Sequence, residues 1–369
     1  MYAKSAHYGI LPACVGKPWP AKYTTAAEPE GYDYFHELIN VDEGTRAGGG
    51  IAWAMMGGLG IGMPPVINFG IPGDRSLQDR VIRECLAGEK IICLGITEPG
   101  AGSDVSNLAC TAEDKGDHWL VNGNKKWITN GIYADYFTVA VRTGGPGSAH
   151  KGLSMLLIER DSSPGITTSK MDCMGVWASG TSFITFENVK VPVGNLIGAE
   201  NQGFKYVMHN FNHERWGFVV QANRFARVCY EEAFKYAHRR RTFGKKLVEH
   251  PVIRAKLADM VRQIDATHHQ MENITYQMCT LPKDQSAKAL AGITALAKVQ
   301  STKVFEYCAR EAAQIFGGAS YVRGGQGEKV ERLYRDVRAY AIPGGSEEIM
   351  MDLGIRQAMK EWEAVQSRM

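Results

Sequence analysis

The sequence predicts an α+β protein in three parts: an N-terminal α-helical domain over residues 1–90, a middle antiparallel β-barrel or sandwich over 91–200, and a C-terminal four-helix bundle over 201–369. Three observations carry that prediction. Between 91 and 200, apolar residues alternate with a period of two in short runs such as "YFTVAVRT", "LSMLLIER" and "SFITFENVKVP". These runs are parted by turn residues rather than by long helical patterns, which favours an antiparallel sheet over a parallel, doubly wound one. From about residue 203 the apolar period becomes helical and stays so to the end of the chain.

The first 90 residues mix Gly/Pro-rich connections with the apolar stretch "GIAWAMMGGLGIGM" and one short helical signal, "SLQDRVIRECLAG". Gly57, Gly58, Gly60 and Gly62 follow no strand and lack the G-x-G-x-x-G spacing, so close helix packing explains them better than a phosphate loop. In the middle region Asn122-Gly123 lies between two alternating runs, the strongest short-range signal for a hairpin turn. In the last region, long helices are expected near 204–240, 252–280, 286–316 and 346–365. On the third, Leu290, Ile293, Ala297, Val304, Cys308 and Ile315 share an apolar face, and Gly317-Gly318 supplies the stop.

Composition narrows the function classes. With 44% hydrophobic residues in 369 the chain can bury a large core. Its 42 basic and 39 acidic residues are spread along the length, a net charge of +3 that selects neither nucleic acid nor an anionic membrane as partner. No apolar run is expected to reach the length of about 18 residues that would span a membrane. The eight cysteines form no C-x-x-C pair, which excludes a disulfide framework and points to a reducing compartment. His209 and His213 have a metal-binding spacing, but no further ligand follows, and no metal is expected. The first 25 residues lack transit-peptide character, whereas Ser367-Arg368-Met369 is a conservative variant of the S-K-L peroxisomal address. A peroxisomal location is expected from it, and otherwise a cytoplasmic or mitochondrial-matrix one.

Three stretches could hold chemistry. In "YAIPGGSEEIMMD", Ser346 can cap a helix whose first turn holds Glu347 and Glu348, while the backbone N–H groups beside the Gly-Gly turn could bind an oxyanion or a cofactor edge. In "GFKYVMHNFNHERWGFVVQANRFARV", Phe204, Val207, Phe211, Phe218, Ala222, Phe225 and Cys229 define a buried stripe, and Glu214 lies on it. A carboxylate there should have a raised pKa suited to a general base; a structural ion pair with a bundle arginine explains the same position. Finally, "ITEPGAGSD" at 96–104 and "WITNG" at 127–131 offer N–H groups and hydroxyls to a phosphate-bearing or heteroaromatic ligand, or form an ordinary tight loop.

Taken in order, these stretches resemble the acyl-CoA dehydrogenase family. "ITEPGAGSDVSN" and "WITNG" are similar to its two flavin-contacting signatures, "RRTFGKKL" to a segment that reaches a neighbouring subunit's flavin, and "QIFGGASY" and "YRDVRAYAIPGGSEEI" to its two C-terminal ones. The resemblance implies that the N-terminal helical domain is shortened relative to the family. It implies FAD as cofactor, with Leu94, Ile96 and Thr97 at the flavin ring or ribityl chain, Ser103 near the pyrophosphate and the substrate, and Trp127 and Thr129 against the flavin. Ser346 and Glu348 would touch the cofactor as well. Arg240, Thr242, Phe243, Gln314 and Gly318 would complete an adjacent subunit's site, which implies a homodimer or homotetramer.

Many members of the family carry their base in a Glu-Gly-Thr/Ser sequence, and Gly344 stands where that glutamate would be. A minority, including the isovaleryl-CoA and long-chain acyl-CoA dehydrogenases, place it on the first bundle helix before an arginine, which here is Glu214 before Arg215. The implied reaction is removal of a thioester α-proton by Glu214, with the Gly344 N–H on the developing enolate and Arg215 holding base and substrate, as the β-hydrogen leaves as hydride to the flavin. An acyl-CoA becomes a trans-2-enoyl-CoA, as in β-oxidation of fatty or branched-chain acyl groups, with electron-transfer flavoprotein or oxygen as acceptor. The alternatives are an acyl-CoA oxidase or a specialised desaturase or monooxygenase on the same fold and, ranked last, a non-catalytic scaffold.

Overall fold

The computed structural model describes residues 2–145 and 147–367, with the side chains of 283 and 284 set aside. Arg368 and Met369 lie outside the described residues, and with them most of the C-terminal tripeptide. The chain divides into two compact units, one of Met1–Asn40, Gly50–Cys173 and Trp177–Phe211, the other of Val41–Gly49, Met174–Val176 and Asn212–Met369.

The first unit is built on a sheet of eight strands among the described residues: β1 (Ile92–Gly95), β2 (Thr111–Asp114), β3 (His118–Ile128), β4 (Tyr136–Arg142), β5 (Leu153–Glu159), β6 (Ile166–Lys170), β7 (Ser182–Pro192) and β8 (Leu196–Ile197). They pair in the order β6-β7-β3-β2-β4-β5-β8, with β1 beside β4. The pairings are antiparallel, as the sequence predicts, except that β1 and a single residue of β2 run parallel to β4. The strands' alternation is visible in what they bury: Trp119, Val121, Phe137, Val139, Ile184 and Phe186 belong to one apolar core.

The expected Asn122-Gly123 hairpin is not there. Both residues lie inside β3, and the register against β7 shifts between Val121 and Gly123, so the pair forms a bulge in a continuous strand. Gly123 has φ +144°, and a Cβ there would come within 2.7 Å of the Cys110 Cα. The Asn122 Oδ1 accepts from the Asn188 N–H at 2.8 Å, so its side chain ties two strands instead of shaping a turn.

The span Gly49–Phe69 also corrects an expectation. It is 21 residues long and apolar enough to cross a membrane by length and composition, yet half of its most apolar window is buried inside the protein. Trp53–Gly62 within it is a π-helix whose wider turns lay glycines directly against β1. A Cβ on Gly58 would collide with the Ile92 carbonyl oxygen, and one on Gly62 would lie 2.9 Å from the Cys93 carbonyl carbon. These are packing glycines of a core segment.

The second unit is helical: α1 (Gly203–Arg239) from Asn212 onward, α2 (Pro251–Thr280), α3 (Lys283–Ala289), α4 (Ala291–Phe316), α5 (Glu328–Ala341) and α6 (Glu347–Gln366). The segment expected as one helix over 286–316 is broken at Leu290, and α5 was absent from the expected set although Val330, Leu333, Val337 and Tyr340 keep its one face buried. The central helix is α4, which packs on α2, α5 and α6. An aromatic cluster joins α1, α4 and α5: Tyr340 meets Phe225 at 5.3 Å and Phe218 at 5.9 Å, and Phe225 meets Phe305 at 5.3 Å. The Tyr340 hydroxyl donates to the Gln221 Oε1 at 3.0 Å. All eight cysteines are free thiols.

Candidate active site

Helix α5 ends at Ala341, and α6 starts behind Ser346, whose hydroxyl accepts from the Ile349 N–H at 3.5 Å. The loop between them turns through Gly344 at φ +69° and Gly345 at φ +101°. A Cβ on Gly344 would meet the Phe218 Cε2 at 2.8 Å, and Phe218 is itself held in the aromatic cluster. A glutamate side chain therefore has neither the backbone conformation nor the room to stand at position 344.

The loop is gripped by two cations. Arg215 on α1 donates through Nε to the Gly344 carbonyl at 3.1 Å and through a terminal nitrogen to the Asn212 Oδ1 at 3.3 Å. Lys298 on α4, with no exposed surface, donates to the Ala341 and Gly345 carbonyls, each at 2.8 Å. Glu214 immediately precedes Arg215. Burial pushes its carboxyl up to about 7, and the attraction of Arg215, His213 and Lys298 offsets only part of that. Near neutral pH this carboxyl is present both as acid and as base, the condition a proton acceptor needs.

The structure thus brings Glu214, Arg215, Gly344 and Ser346 into one neighbourhood. Glu348 is exposed on the first turn of α6, while Glu347 accepts from the Thr302 hydroxyl at 2.9 Å. Arg240 follows α1, and Thr242 and Phe243 belong to a small hairpin of β9 (Arg241–Thr242) and β10 (Lys245–Lys246). Thr242 is within 3.1 Å of the His250 Nε2, and Phe243 is 96% exposed. Gln314 and Gly318 are exposed at the C-terminal end of α4. Among the described residues no recorded hydrogen bond joins these five to Gly344 or Glu214.

In the β-unit a second group assembles. Leu94 lies half-buried in β1, Ile96 just beyond the strand is buried, and the Thr97 carbonyl accepts from the Lys126 N–H at 2.9 Å, which sets "ICLGIT" beside "KWIT". Trp127 sits at φ +60° with half its surface open and the Lys126 ammonium 4.6 Å from its ring centre. Thr129 is half-buried, with its methyl beside Gly57. The loop after Thr97 folds on the reciprocal Glu98–Ala101 backbone bonds at 3.0 and 3.2 Å, which leaves Ser103 exposed. Its anchor is Glu98, a residue that the sequence reading quoted without a role. Its buried carboxylate accepts from the Lys125 ammonium at 2.7 Å and from the Ala109 and Cys110 N–H groups at 2.6 and 3.0 Å. A half-exposed indole with the Lys126 ammonium over its ring, hydroxyls and strand-end backbone groups suit a flat heteroaromatic cofactor that needs stacking and hydrogen bonds.

Two residues of consequence escaped the sequence reading. Lys298 could have been found by its spacing, because it falls with Thr294, Ser301 and Phe305 on the buried face of α4. Phe218 was read only as stripe, since nothing local says that it lies against Gly344.

Comparison with known proteins gives this arrangement its class. Residues 93–189 match the model of the acyl-CoA dehydrogenase middle domain and residues 201–359 that of its C-terminal domain. The chain is 43% identical over 343 residues to the acyl-CoA dehydrogenase apdG of Emericella nidulans, covering 92% of this chain and 77% of that protein. The crystal structure of an acyl-CoA dehydrogenase from Geobacillus kaustophilus superposes with a TM-score of 0.87 at 29% identity, over 97% of this chain and 89% of the other. An acyl-CoA dehydrogenase from Bacillus anthracis, solved complexed with FAD, superposes with a TM-score of 0.84 at 28% identity, over 98% and 62%. The chain belongs to the acyl-CoA dehydrogenase family, whose members are oxidoreductases.

Proposed function

We propose that the protein is a FAD-dependent acyl-CoA dehydrogenase that converts an acyl-CoA thioester into its trans-2-enoyl-CoA, with Glu214 as the base. The observation that carries the reading is the exclusion of a carboxylate from position 344 together with a desolvated carboxyl, near neutrality, one residue before the arginine that holds Gly344. An ordinary exposed glutamate would stay fully ionised and too weak a base for a carbon acid.

Glu214 takes the α-proton of the thioester. Arg215, anchored on the Gly344 carbonyl, keeps base and loop in register. The Gly344 N–H stabilises the negative charge that develops on the thioester oxygen, an interaction stronger in the transition state than in the ground state. FAD would supply the hydride acceptor for the β-hydrogen. Leu94, Ile96, Thr97, Trp127 and Thr129 would hold the flavin, with Ser103 towards its pyrophosphate, and Ser346 and Glu348 are further candidate cofactor contacts. Arg240, Thr242, Phe243, Gln314 and Gly318 serve a neighbouring copy's cofactor; a phenylalanine that is 96% exposed on a hairpin supports that assembly as a homodimer or larger oligomer.

Anaerobic titration of the purified flavoprotein with short, branched and long acyl-CoAs tests the reading. Some acyl-CoA bleaches the oxidised-flavin absorbance of the wild type but not of Glu214→Gln. Equal bleaching in the variant removes Glu214 from the role, and hydrogen peroxide released with each turnover in air reassigns the enzyme as an oxidase.

A further inference from the structure

Lys298 is a buried cation that the mechanism above does not use. It sits among Thr294, Ala295, Ser301 and Phe305 on the inner face of α4, with no exposed surface. Burying an ammonium is costly unless its protons are taken up, and here two backbone carbonyls do so: Ala341, where α5 ends, and Gly345, just before α6 begins. The Phe218 ring, which blocks the space at Gly344, lies 5.8 Å from the same nitrogen. The Gly344 turn is therefore held at both ends by Lys298 and in the middle by Arg215.

We propose that Lys298 is a positioning residue of the reaction, which clamps the loop carrying Gly344 from the α4 side and places a positive charge near Glu214. The inference rests on the reading of Glu214 as base and Gly344 as oxyanion donor. A glycine loop at positive φ has little stiffness of its own. Displacing a donor by a fraction of an ångström loses much of what it does for the transition state. The clamp turns a flexible Gly-Gly turn into a preorganised one.

The charges around the pair give the role a signature in pH. Glu214 is faced by His213 and Arg215 on its own helix and by Lys298 from α4. Lys298 is faced by Glu347 and Glu348 from α6 and by Glu214 and Arg215 from α1. Burial draws the lysine down to about 8, against the pull of Glu347 and Glu214, so its proton is lost not far above neutrality. Removing the ammonium takes away one of the attractions that favour ionised Glu214, and the base then needs a higher pH. Removing Glu347 lets Lys298 lose its proton earlier, and the clamp then fails at a lower pH.

The test uses the FAD-loaded enzyme and its Lys298→Met, Glu347→Gln and Glu214→Gln variants. Three readouts are followed: turnover, exchange of the substrate α-proton with D2O by NMR, and the pH profile of kcat/KM, with flavin content and thermal melting as controls. Lys298→Met is expected to lower kcat about 10- to 100-fold with little change in KM. It should slow α-proton exchange in parallel and shift the acid limb to higher pH. Glu347→Gln is expected to shift the alkaline limb to lower pH. Unchanged exchange and an unmoved acid limb in Lys298→Met overturn the proposal; if that variant does not fold, an unmoved alkaline limb in Glu347→Gln does so. Persistent α-proton exchange in Glu214→Gln overturns the base assignment itself, whereas its loss beside an unaltered Lys298→Met overturns only the role of the lysine.

Discussion

In the β-unit, Lys125 and Glu98 are both out of water, and the carboxylate is met by an ammonium and two backbone N–H groups within 3.0 Å. In the helical unit Lys298 is out of water and Glu214 is half-buried, but the lysine spends its hydrogen bonds on the loop at Gly344 and leaves the carboxyl to be pushed up to about 7. The same two residue types thus serve opposite ends. A carboxylate whose lone pairs are answered by charge-assisted hydrogen bonds is a structural staple. A carboxylate that is desolvated and only partly compensated can change its charge at neutral pH, which is what proton transfer requires. Burial alone does not distinguish them; the allocation of the neighbouring lysine does.

The strongest way to break this comparison is Glu214→Gln. Loss of a general base is expected to cost about 10²- to 10⁴-fold in turnover and in α-proton exchange, with fold and flavin content retained. An active variant would place Glu214 with Glu98 among the structural carboxylates.

Lys125→Met is the converse experiment. It leaves the buried Glu98 carboxylate with two backbone N–H donors and no neighbouring cation, which costs up to about 3–5 kcal/mol, read as a lower denaturation midpoint together with loss of flavin. A variant as stable as wild type would show that the 2.7 Å pair adds nothing to the "ITEPG" loop.

The burial of Glu214 also makes its contribution to stability depend on pH. Glu214 titrates at about 7 in the folded protein against an ordinary value of 4.5, so the folded state binds the extra proton between those values and loses stability as pH rises across that window. Carried through, the difference is on the order of 3 kcal/mol at pH 8, and Glu214→Gln removes it. The variant is expected to melt higher than wild type at pH 8 and no higher at pH 4. A lower melting point at both would mean that the carboxylate is satisfied after all. The same shift puts the acid limb of wild-type kcat/KM near 7, with about a tenfold fall per unit below it.

Gly344→Ala sharpens the account of why the base is not on the loop. A side chain at φ +69°, 2.8 Å from the Phe218 ring, should cost about 1–3 kcal/mol. Because the Gly344 amide shifts with it, kcat should fall more than KM rises. Adding Phe218→Ala should recover part of the stability and none of the rate.

How much of this could be read from the chain follows from which forces are local. The β-domain strands and the long helices announce themselves by periodicity, and Glu214 by its place on an apolar stripe, since a helix face is a property of neighbours in sequence. Asn122-Gly123 misleads because the dipeptide specifies a backbone preference, while the partner strands of β3 decide whether the chain turns or bulges there. Helix α5 was passed over because its charged residues outnumber the four that define its buried face. The burial of Lys298 is legible from its spacing on α4, but its grip on the Ala341 and Gly345 carbonyls and the Phe218–Gly344 contact are invisible for a deeper reason: each is a relation between residues scores of positions apart, and nothing in either segment alone requires the other.

The smallest expected effect on stability belongs to Trp127, and it tests the β-unit's half of the comparison. Half of the indole surface is open, and its φ of +60° is unusual for so large a residue, so the backbone holds the ring outward at a local cost. A side chain kept for packing would be buried; one kept for a ligand can be exposed. Trp127→Ala should therefore change the stability of the flavin-free protein by less than about 0.5 kcal/mol, while flavin retained through gel filtration falls and its fluorescence rises as stacking is lost. If the flavin-free protein is destabilised as much as the holoprotein, Trp127 is a packing residue like Trp119 in the sheet core, and the flat face would have to be sought elsewhere on the "WITNG" loop.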